Sequence, residues 1–264
     1  MLSTFFKAKP VVDETSREWI FDTFAWCIDQ LDGDFFQQNS ELILPNNTFY
    51  PGSVSCVEEM AETIFANTIR YSGMTSWPIK LVSATSFTQK PMPQLFFEST
   101  LRGENCKLVN KETVPAIEIA FHPSQLNQPQ DLIAYLVQIQ ASILVSQNGM
   151  LAPRGKEVLA QTIDLVACFM GFGVIFANTA YQFKGGCGSC NNRNLNRQAA
   201  LPELETVYAL ALFCVIKGCD IKMVKKELKS HLYKPFCQAR KEITLYLQDT
   251  TNPDHTLLTA NFSK

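Results

Sequence analysis

The longest apolar stretch of the chain covers residues 165–177, LVACFMGFGVIFA, and none of its thirteen residues is charged. Asp164 precedes this stretch and Asn178 follows it. A membrane-spanning helix needs roughly 20 apolar residues, so the shorter run predicts a buried core helix. We expect this helix to cover residues 157–182 and to pack against a helix over residues 131–146.

The helix over residues 131–146 is indicated by apolar residues at helical spacing. Leu132, Leu136, Ile139 and Ile143 form one stripe, and Ile133, Val137 and Leu144 form a second stripe beside it; together they predict a broad buried face. Capping-box patterns at Thr15/Glu18 and Ser55/Glu58 predict two earlier helices, over residues 16–31 and ahead of Gly73. Further helices are predicted from Leu201 to Gly218 and over residues 221–232 and 235–247.

Short β-type runs lie between these helical regions, at residues 79–82, 95–97 and 116–121. Prolines, glycines and asparagines separate them, and Pro123 ends the last run, so three to four strands in one small sheet are expected. The predicted fold class is α+β: a mostly helical single domain over residues 1–264, with a small sheet, a central helix pair and C-terminal helices. Residues 1–14 and 249–264 are expected to be loose termini.

Composition and charge narrow the classes of partner. The 264 residues carry 23 basic and 25 acidic side chains and a net charge of -2, which gives no basic surface for nucleic acid. The N-terminus has no basic start followed by an apolar core, so no secretory signal is expected and the protein should be cytoplasmic. The nine cysteines are scattered through apolar segments, and most should be free thiols in a reducing compartment.

Cys187 and Cys190 form a CxxC pair in the glycine-rich segment GGCGSCNN. Two thiolates at this spacing can bind zinc, but a structural site needs two further ligands, and Cys214 and Cys219 have the wrong spacing for a zinc ribbon. Three interpretations stay open: ordinary loop cysteines, which we favour, a reversible disulfide, or half of a zinc site.

The three histidines, His122, His231 and His255, lie in separate segments and form no HxxxH pair. Surface or locally hydrogen-bonded histidines are the favoured interpretation. Gly171 and Gly173 lie inside the apolar stretch. They predict a close-packing notch, because a phosphate cradle needs exposed amides at a helix start.

Asp164 is the residue that most needs a partner. A carboxylate at the entrance to thirteen apolar residues is costly unless a hydrogen-bond donor, a helix N-terminus or a metal compensates its charge. A structural aspartate bonded to a neighbouring donor is the favoured interpretation, with a functional role as the alternative.

The order of sequence landmarks resembles an uncharacterised bacterial zincin-like family. That family has a WxxxxFxWL helix, a VLPTPEFFP-like segment, a small sheet, a LAHELAHxLL helix, a TDLLTVFFGxGVFxANS helix and a YALALF helix. The counterparts here are REWIFDTFAWCIDQ, LILPNNTFYPG, IEIAFHPSQL, IAYLVQIQASILV, TIDLVACFMGFGVIFANTA and LPELETVYALALF. The resemblance covers residues 19–213.

The resemblance implies a zinc site on the helix pair, but this chain departs from it. An HExxH helix places two histidines one turn apart to bind zinc, and its glutamate activates a water. By position, Gln138 and Ser142 replace the histidines and Ile139 replaces the glutamate; only the carboxylate, Asp164, is matched. The resemblance therefore implies a degenerate site without metal or cofactor.

We expect the former metal site to be a polar clasp, with Gln138 or Ser142 within hydrogen-bond reach of Asp164. The resulting hypothesis is a non-catalytic protein that acts by binding an unidentified protein or small molecule, without nucleic acid or a membrane span; a homo-oligomer is compatible with it. Alternatives are a metal-dependent hydrolase with non-standard ligands, such as His122, Asp164 and Cys168, and a zinc or redox module built on Cys187 and Cys190.

Overall fold

The structure is a computed structural model that describes residues 9–52, 56–180 and 197–248. These residues form a mostly helical fold with one small sheet, consistent with the predicted α+β class. The helices are α1 (Glu14–Gln30), α2 (Gly33–Gln38), α3 (Val57–Tyr71), α4 (Pro129–Asn148), α5 (Leu159–Ala167), α6 (Gly173–Asn178), α7 (Glu203–Ile216), α8 (Ile221–Glu227) and α9 (Ser230–Gln248). The strands are β1 (Ile79–Ser83) and β2 (Ile117–Phe121).

The apolar stretch forms the centre of the fold, as predicted, but not as one continuous helix. A 3₁₀ turn (Gly155–Val158) leads into α5, a π turn (Cys168–Phe172) separates α5 from α6, and α6 ends at Asn178. Residues 164–178 are all buried. The interruption occurs at Gly171, whose φ of 101° is outside the helical range. The prediction of an unbroken helix over residues 157–182 is therefore wrong.

Gly171 and Gly173 allow two neighbouring segments to approach this helix closely. A Cβ atom on Gly171 would overlap the carbonyl oxygen of Glu41, and the Gly171 carbonyl accepts a 2.9 Å hydrogen bond from the Ile43 amide. A Cβ atom on Gly173 would lie 3.1 Å from Cβ of Leu210 in α7. The predicted close-packing notch is confirmed.

The region Gly155–Asn178 is, within the described residues, the one helical segment long and apolar enough to cross a membrane. Its most apolar window is 72% buried inside the protein. Surrounding protein therefore already covers most of this segment, as expected for a core helix.

In the part of the chain that the structure describes, three helices pack against the central segment and a fourth packs against one of these three. The helices α4 and α1 pack against α5, α7 packs against α6 and the π turn, and α9 packs against α7. The predicted packing of α4 against the central helix is confirmed, and α4 extends two residues beyond the predicted range at each end. Burial of almost the whole of α7 follows from its sequence, VYALALFCVI, which has apolar residues on every face.

The helix ends agree partly with the predicted caps. The carboxylate of Asp13 accepts a 2.7 Å hydrogen bond from the Ser16 amide, so α1 is capped at Asp13, two residues before the predicted cap Thr15. The N-cap of α3 is Cys56, and the predicted cap, Ser55, lies outside the described residues. Gly73 follows α3 with a φ of 72° and terminates it, as predicted.

The sheet is smaller than predicted. The strands β1 and β2 pair in parallel, with Ile79 opposite Ile117 and Ser83 opposite Phe121. The run at residues 95–97 makes only one isolated antiparallel bridge, between Phe97 and Leu108. The third and fourth predicted strands are absent from the described part of the chain; Pro91 and Pro93 carry no amide hydrogen to pair ahead of this run.

The beginning of the described chain is attached to α9. Nε2 of Gln238 donates to the Lys9 carbonyl at 2.6 Å, and the Val11 amide donates to Glu242 at 3.3 Å. The prediction that residues 1–14 form a loose terminus is therefore wrong for residues 9–14. The other predicted loose segment, 249–264, lies outside the described residues.

The sequence predicted one helix ending at residue 232 and the next beginning at residue 235. The structure has no break there: α9 begins at Ser230 and continues through Pro235.

Candidate functional site

The carboxylate of Asp164 is buried and fully engaged by protein donors. Its Oδ1 accepts a 2.7 Å hydrogen bond from Nε2 of Gln138. Its Oδ2 accepts hydrogen bonds from Nη1 of Arg197 at 2.9 Å and from the amides of Ala200 and Leu201 at 2.9 and 3.0 Å. We refer to Gln138, Asp164, Arg197, Ala200 and Leu201 as the Asp164 clasp.

Helix packing and chain entry into α7 bring the clasp together. Gln138 on α4 faces Asp164 on α5, and its Nε2 also donates to the Gln198 carbonyl at 3.1 Å. Residues 197–201, which lead into α7, lie across this helix pair, and Asp164 accepts two of their amide hydrogens. The clasp therefore joins α4, α5 and the start of α7.

Arg197 balances the charge of Asp164 and contacts the end of α6. The two side chains of this ion pair are each only 1% exposed. Nη2 of Arg197 donates to the Phe176 carbonyl at 2.9 Å, and its guanidinium lies 4.2 Å from the centre of the Phe176 ring. The last carbonyls of a helix lack partners within the helix and favour a positive charge. Arg197 thus compensates both the carboxylate and the helix end.

The predicted hydrogen bond to Asp164 is made by one of its two candidate donors. Gln138 is bonded directly to Asp164, whereas Ser142 makes no hydrogen bond to Asp164 among the residues described. Ile139 is half-buried and packs against the apolar core. Of the three positions matched to an HExxH motif, only Gln138 contacts the matched carboxylate by a hydrogen bond.

The alternative metal ligands are not assembled. His122 is exposed, and its Nδ1 lies 2.8 Å from the Ser124 hydroxyl, where it caps a 3₁₀ turn. Cys168 is buried one turn after Asp164; burial and the nearby Asp164 charge raise the pKa of its thiol well above the usual range. In residues 9–52, 56–180 and 197–248, no group of three or more histidine, cysteine, aspartate or glutamate side chains could hold a metal ion.

The remaining candidate residues are on the surface or outside the described chain. Nε2 of His231 lies 3.1 Å from the Glu203 carboxylate in an exposed pair, in agreement with the expected surface role. His255, Cys187 and Cys190 lie outside the described residues.

A surface groove that the sequence did not predict lies between α2, residues 95–105 and the end of α4. Its volume is about 1330 Å³. One wall depends on Asp32, whose backbone has a left-handed φ of 63°. The Asp32 carboxylate accepts hydrogen bonds from the Leu101 and Arg102 amides at 2.6 and 2.7 Å, and so holds the 95–105 segment against the end of α1.

Arg102 is buried behind this wall. Its guanidinium lies 4.8 Å from the Phe35 ring centre and 5.2 Å from that of Phe169. Its Nε donates to the Leu31 carbonyl at 2.9 Å, and burial lowers its pKa to about 10. Within the described chain, Nη1 and Nη2 of Arg102 and Nδ2 of Asn148, another groove residue, have no hydrogen-bond partner.

Comparison of the chain with protein-family models, with curated proteins and with solved structures gives no match. The resemblance to a zincin-like family therefore rests on the sequence landmarks alone.

Proposed function

We propose that this chain is a non-catalytic protein on a zincin-like metallopeptidase scaffold and that it acts by binding a partner. The supporting observation is the engagement of Asp164: one oxygen accepts from Gln138, and the other accepts from Arg197 and two backbone amides. A carboxylate bonded in this way is a structural anchor.

The chemistry of the clasp opposes metal binding. A metal ion at Asp164 would have to displace the Arg197 guanidinium, which lies 2.9 Å from Oδ2, and would be repelled by its positive charge while that side chain remained. An amide and a hydroxyl are also poor substitutes for imidazole as zinc ligands. Ile139 cannot accept a proton, and loss of a general base alone costs about 10²- to 10⁴-fold in rate.

The metal content of protein purified without an affinity tag tests this proposal. We expect substoichiometric zinc and iron, an unchanged melting temperature after chelator treatment, and no hydrolysis of a general peptidase substrate such as casein. Stoichiometric zinc or iron that a chelator removes with a fall in melting temperature would contradict the proposal and favour a hydrolase with non-standard ligands.

A variant with the HExxH residues restored tests whether the helix pair is a zincin-like scaffold, separately from whether the natural chain has lost activity. Gln138→His, Ile139→Glu and Ser142→His restore the HExxH residues on α4, and Arg197→Gln removes the cation that competes for Asp164. This quadruple variant should bind one zinc ion per chain, and the same variant with Asp164→Ala should bind it more weakly. If the quadruple variant keeps the helical circular dichroism of the wild type but binds no zinc, the zincin-like interpretation of the helix pair is wrong.

The groove beside α2 is the surface we propose for binding, with a small molecule as the ligand. Ligand pockets usually enclose about 300–1,000 Å³, and the groove, at about 1330 Å³, is large enough for such a ligand. The exposed charged side chains that line the groove, Asp29, Asp34 and Glu104, are acidic, whereas the lining residue Arg102 is buried. A cationic small molecule with hydrogen-bond donors fits this chemistry best.

A thermal-shift screen with small amines and guanidinium compounds tests the groove. Phe96 lines it and is 58% exposed, whereas Val109 is 64% exposed but is not part of the lining. A compound bound in the groove should raise the melting temperature of the wild type and of Val109→Ser, and lose much of this effect in Phe96→Ser. Equal stabilisation of all three proteins, or none by any compound, would contradict this assignment.

A further inference from the structure

The C-terminal end of α7 brings two cysteines together through its backbone. The Cys219 amide donates to the Cys214 carbonyl at 2.9 Å, the Gly218 amide donates to the Val215 carbonyl at 3.3 Å, and Gly218 has a φ of 62°. These are the two hydrogen bonds and the left-handed residue of a Schellman motif. In that motif the first and last side chains usually make an apolar contact; here both are cysteines.

The two thiols differ in accessibility. Cys214 is only 1% exposed, whereas Cys219 is partly exposed just beyond the helix end. Each thiol affects the pKa of the other, because the two side chains are adjacent: the pKa of Cys214 is raised and that of Cys219 is lowered. The structure therefore has an outer thiol that a reagent can reach and an inner thiol directly behind it.

The surroundings of Cys219 favour its thiolate. The adjacent Cys214 thiol lowers the pKa of Cys219, and the positive charges of Lys217 and Arg240 lower it further, against an opposing effect of burial. Lys217 is held in place because its Nζ donates to the Phe36 and Gln37 carbonyls, each at 2.7 Å. By contrast, burial raises the pKa of Cys27 and Cys168, and it raises that of Cys106 to about 11.

We propose that Cys214 and Cys219 are a redox-active thiol pair that a peroxide converts reversibly into a disulfide. The Cys219 thiolate attacks one peroxide oxygen, an S–O bond forms as the O–O bond breaks, and Cys219 becomes a sulfenic acid. The departing hydroxide or alkoxide takes a proton from solvent and leaves as water or an alcohol. The Cys214 sulfur then attacks the Cys219 sulfur, the S–S bond forms, and the sulfenic oxygen leaves as water with the Cys214 proton. Two thiols lose two electrons, and one peroxide is reduced.

The backbone geometry suits this bond. Disulfides require Cα atoms roughly 4.4–6.8 Å apart, and the 2.9 Å hydrogen bond between the backbones of Cys219 and Cys214 holds the two residues side by side. Two cysteines in a Schellman contact could also act simply as small apolar residues. The experiment must therefore detect the bond itself.

Peptide mapping of the full chain provides that test. The reduced protein is treated with hydrogen peroxide, free thiols are blocked with N-ethylmaleimide, and the digest is analysed by mass spectrometry. We expect Cys214 and Cys219 to lose labelling together, to appear in one cross-linked peptide, and to regain labelling after treatment with dithiothreitol. No bond between them, or a bond from Cys219 to another cysteine, would overturn the proposal.

Serine variants separate the two roles. In Cys214→Ser, Cys219 should stop at the sulfenic acid, which dimedone traps; in Cys219→Ser, Cys214 should stay reduced because it is buried. Cys237→Ser removes a partly exposed thiol of α9 and is the matched control; it should leave the yield of the cross-linked peptide unchanged. Circular dichroism confirms that each variant is folded. Oxidation of Cys214 in the Cys219→Ser protein would contradict the assigned order.

Discussion

Asp164→Ala should lower the free energy of unfolding by about 3–5 kcal/mol, the usual cost of removing one partner from a buried ion pair. The variant leaves Arg197 buried with its charge uncompensated and removes the acceptor of four hydrogen bonds. Urea denaturation followed by circular dichroism measures the loss. The matched control is Glu98→Ala, which removes the carboxylate of an exposed ion pair with Lys107 and should cost at most about 1 kcal/mol.

A double-mutant cycle determines whether Arg197 is the partner that matters. Arg197→Met keeps an apolar side chain over Phe176 but removes the charge, leaving Asp164 buried without its cation. The double variant Asp164→Ala/Arg197→Met should cost less than the sum of the two single variants, because neither charge is then buried alone. Additive losses would mean that the two side chains do not stabilise each other.

The same series distinguishes the two polar residues of α4. Gln138→Ala removes a 2.7 Å hydrogen bond to the charged Asp164 and should cost about 1.5–3 kcal/mol. Ser142→Ala removes no bond to Asp164 and should change stability by no more than about 0.5 kcal/mol. Equal effects of the two substitutions would contradict the geometry of the clasp.

The parts of the fold that local sequence determines were predictable. Apolar spacing defined α4 to within two residues at each end, and lack of charge placed residues 165–177 in the core. Features that depend on distant contacts were not predictable. The π turn at Gly171 depends on the backbone of residues 41–43. The number of strands depends on which β-type runs pair with each other in the folded chain, which local sequence does not determine.

Only the clasp residues on α4 and α5, Gln138 and Asp164, were predictable from the sequence. An aspartate entering an apolar run requires a compensating group, and the polar substitutions on α4 identified Gln138 as one candidate donor. Arg197 was missed because it lies in an irregular segment before α7, where no hydrophobic periodicity indicates which side chains face the core. The signal that could have found it is charge balance: Asp164 at the entrance to a core helix requires a cation, and the segment before Leu201 contains Arg193 and Arg197.

Gly171→Ala should destabilise the protein by roughly 3 kcal/mol or more. The φ of 101° at this position is strained for a residue with a side chain, at a cost of about 1–3 kcal/mol. In addition, the new Cβ would overlap the Glu41 carbonyl oxygen, and such overpacking typically costs a further 1–3 kcal/mol or so. Because the Gly171 carbonyl also accepts the Ile43 amide hydrogen, the 41–43 segment cannot move away without losing that bond.

Gly149→Ala separates the two causes of this loss. Gly149 also has a positive φ, 76°, but a Cβ atom there would meet no atom within 4 Å. Its substitution should therefore cost only the conformational part, about 1–2 kcal/mol. Both variants are compared by urea denaturation, and the difference between them measures the close approach of residues 41–43 to the core. If Gly171→Ala costs no more than Gly149→Ala, that approach does not require a glycine, and the notch does not explain the break in the central helix.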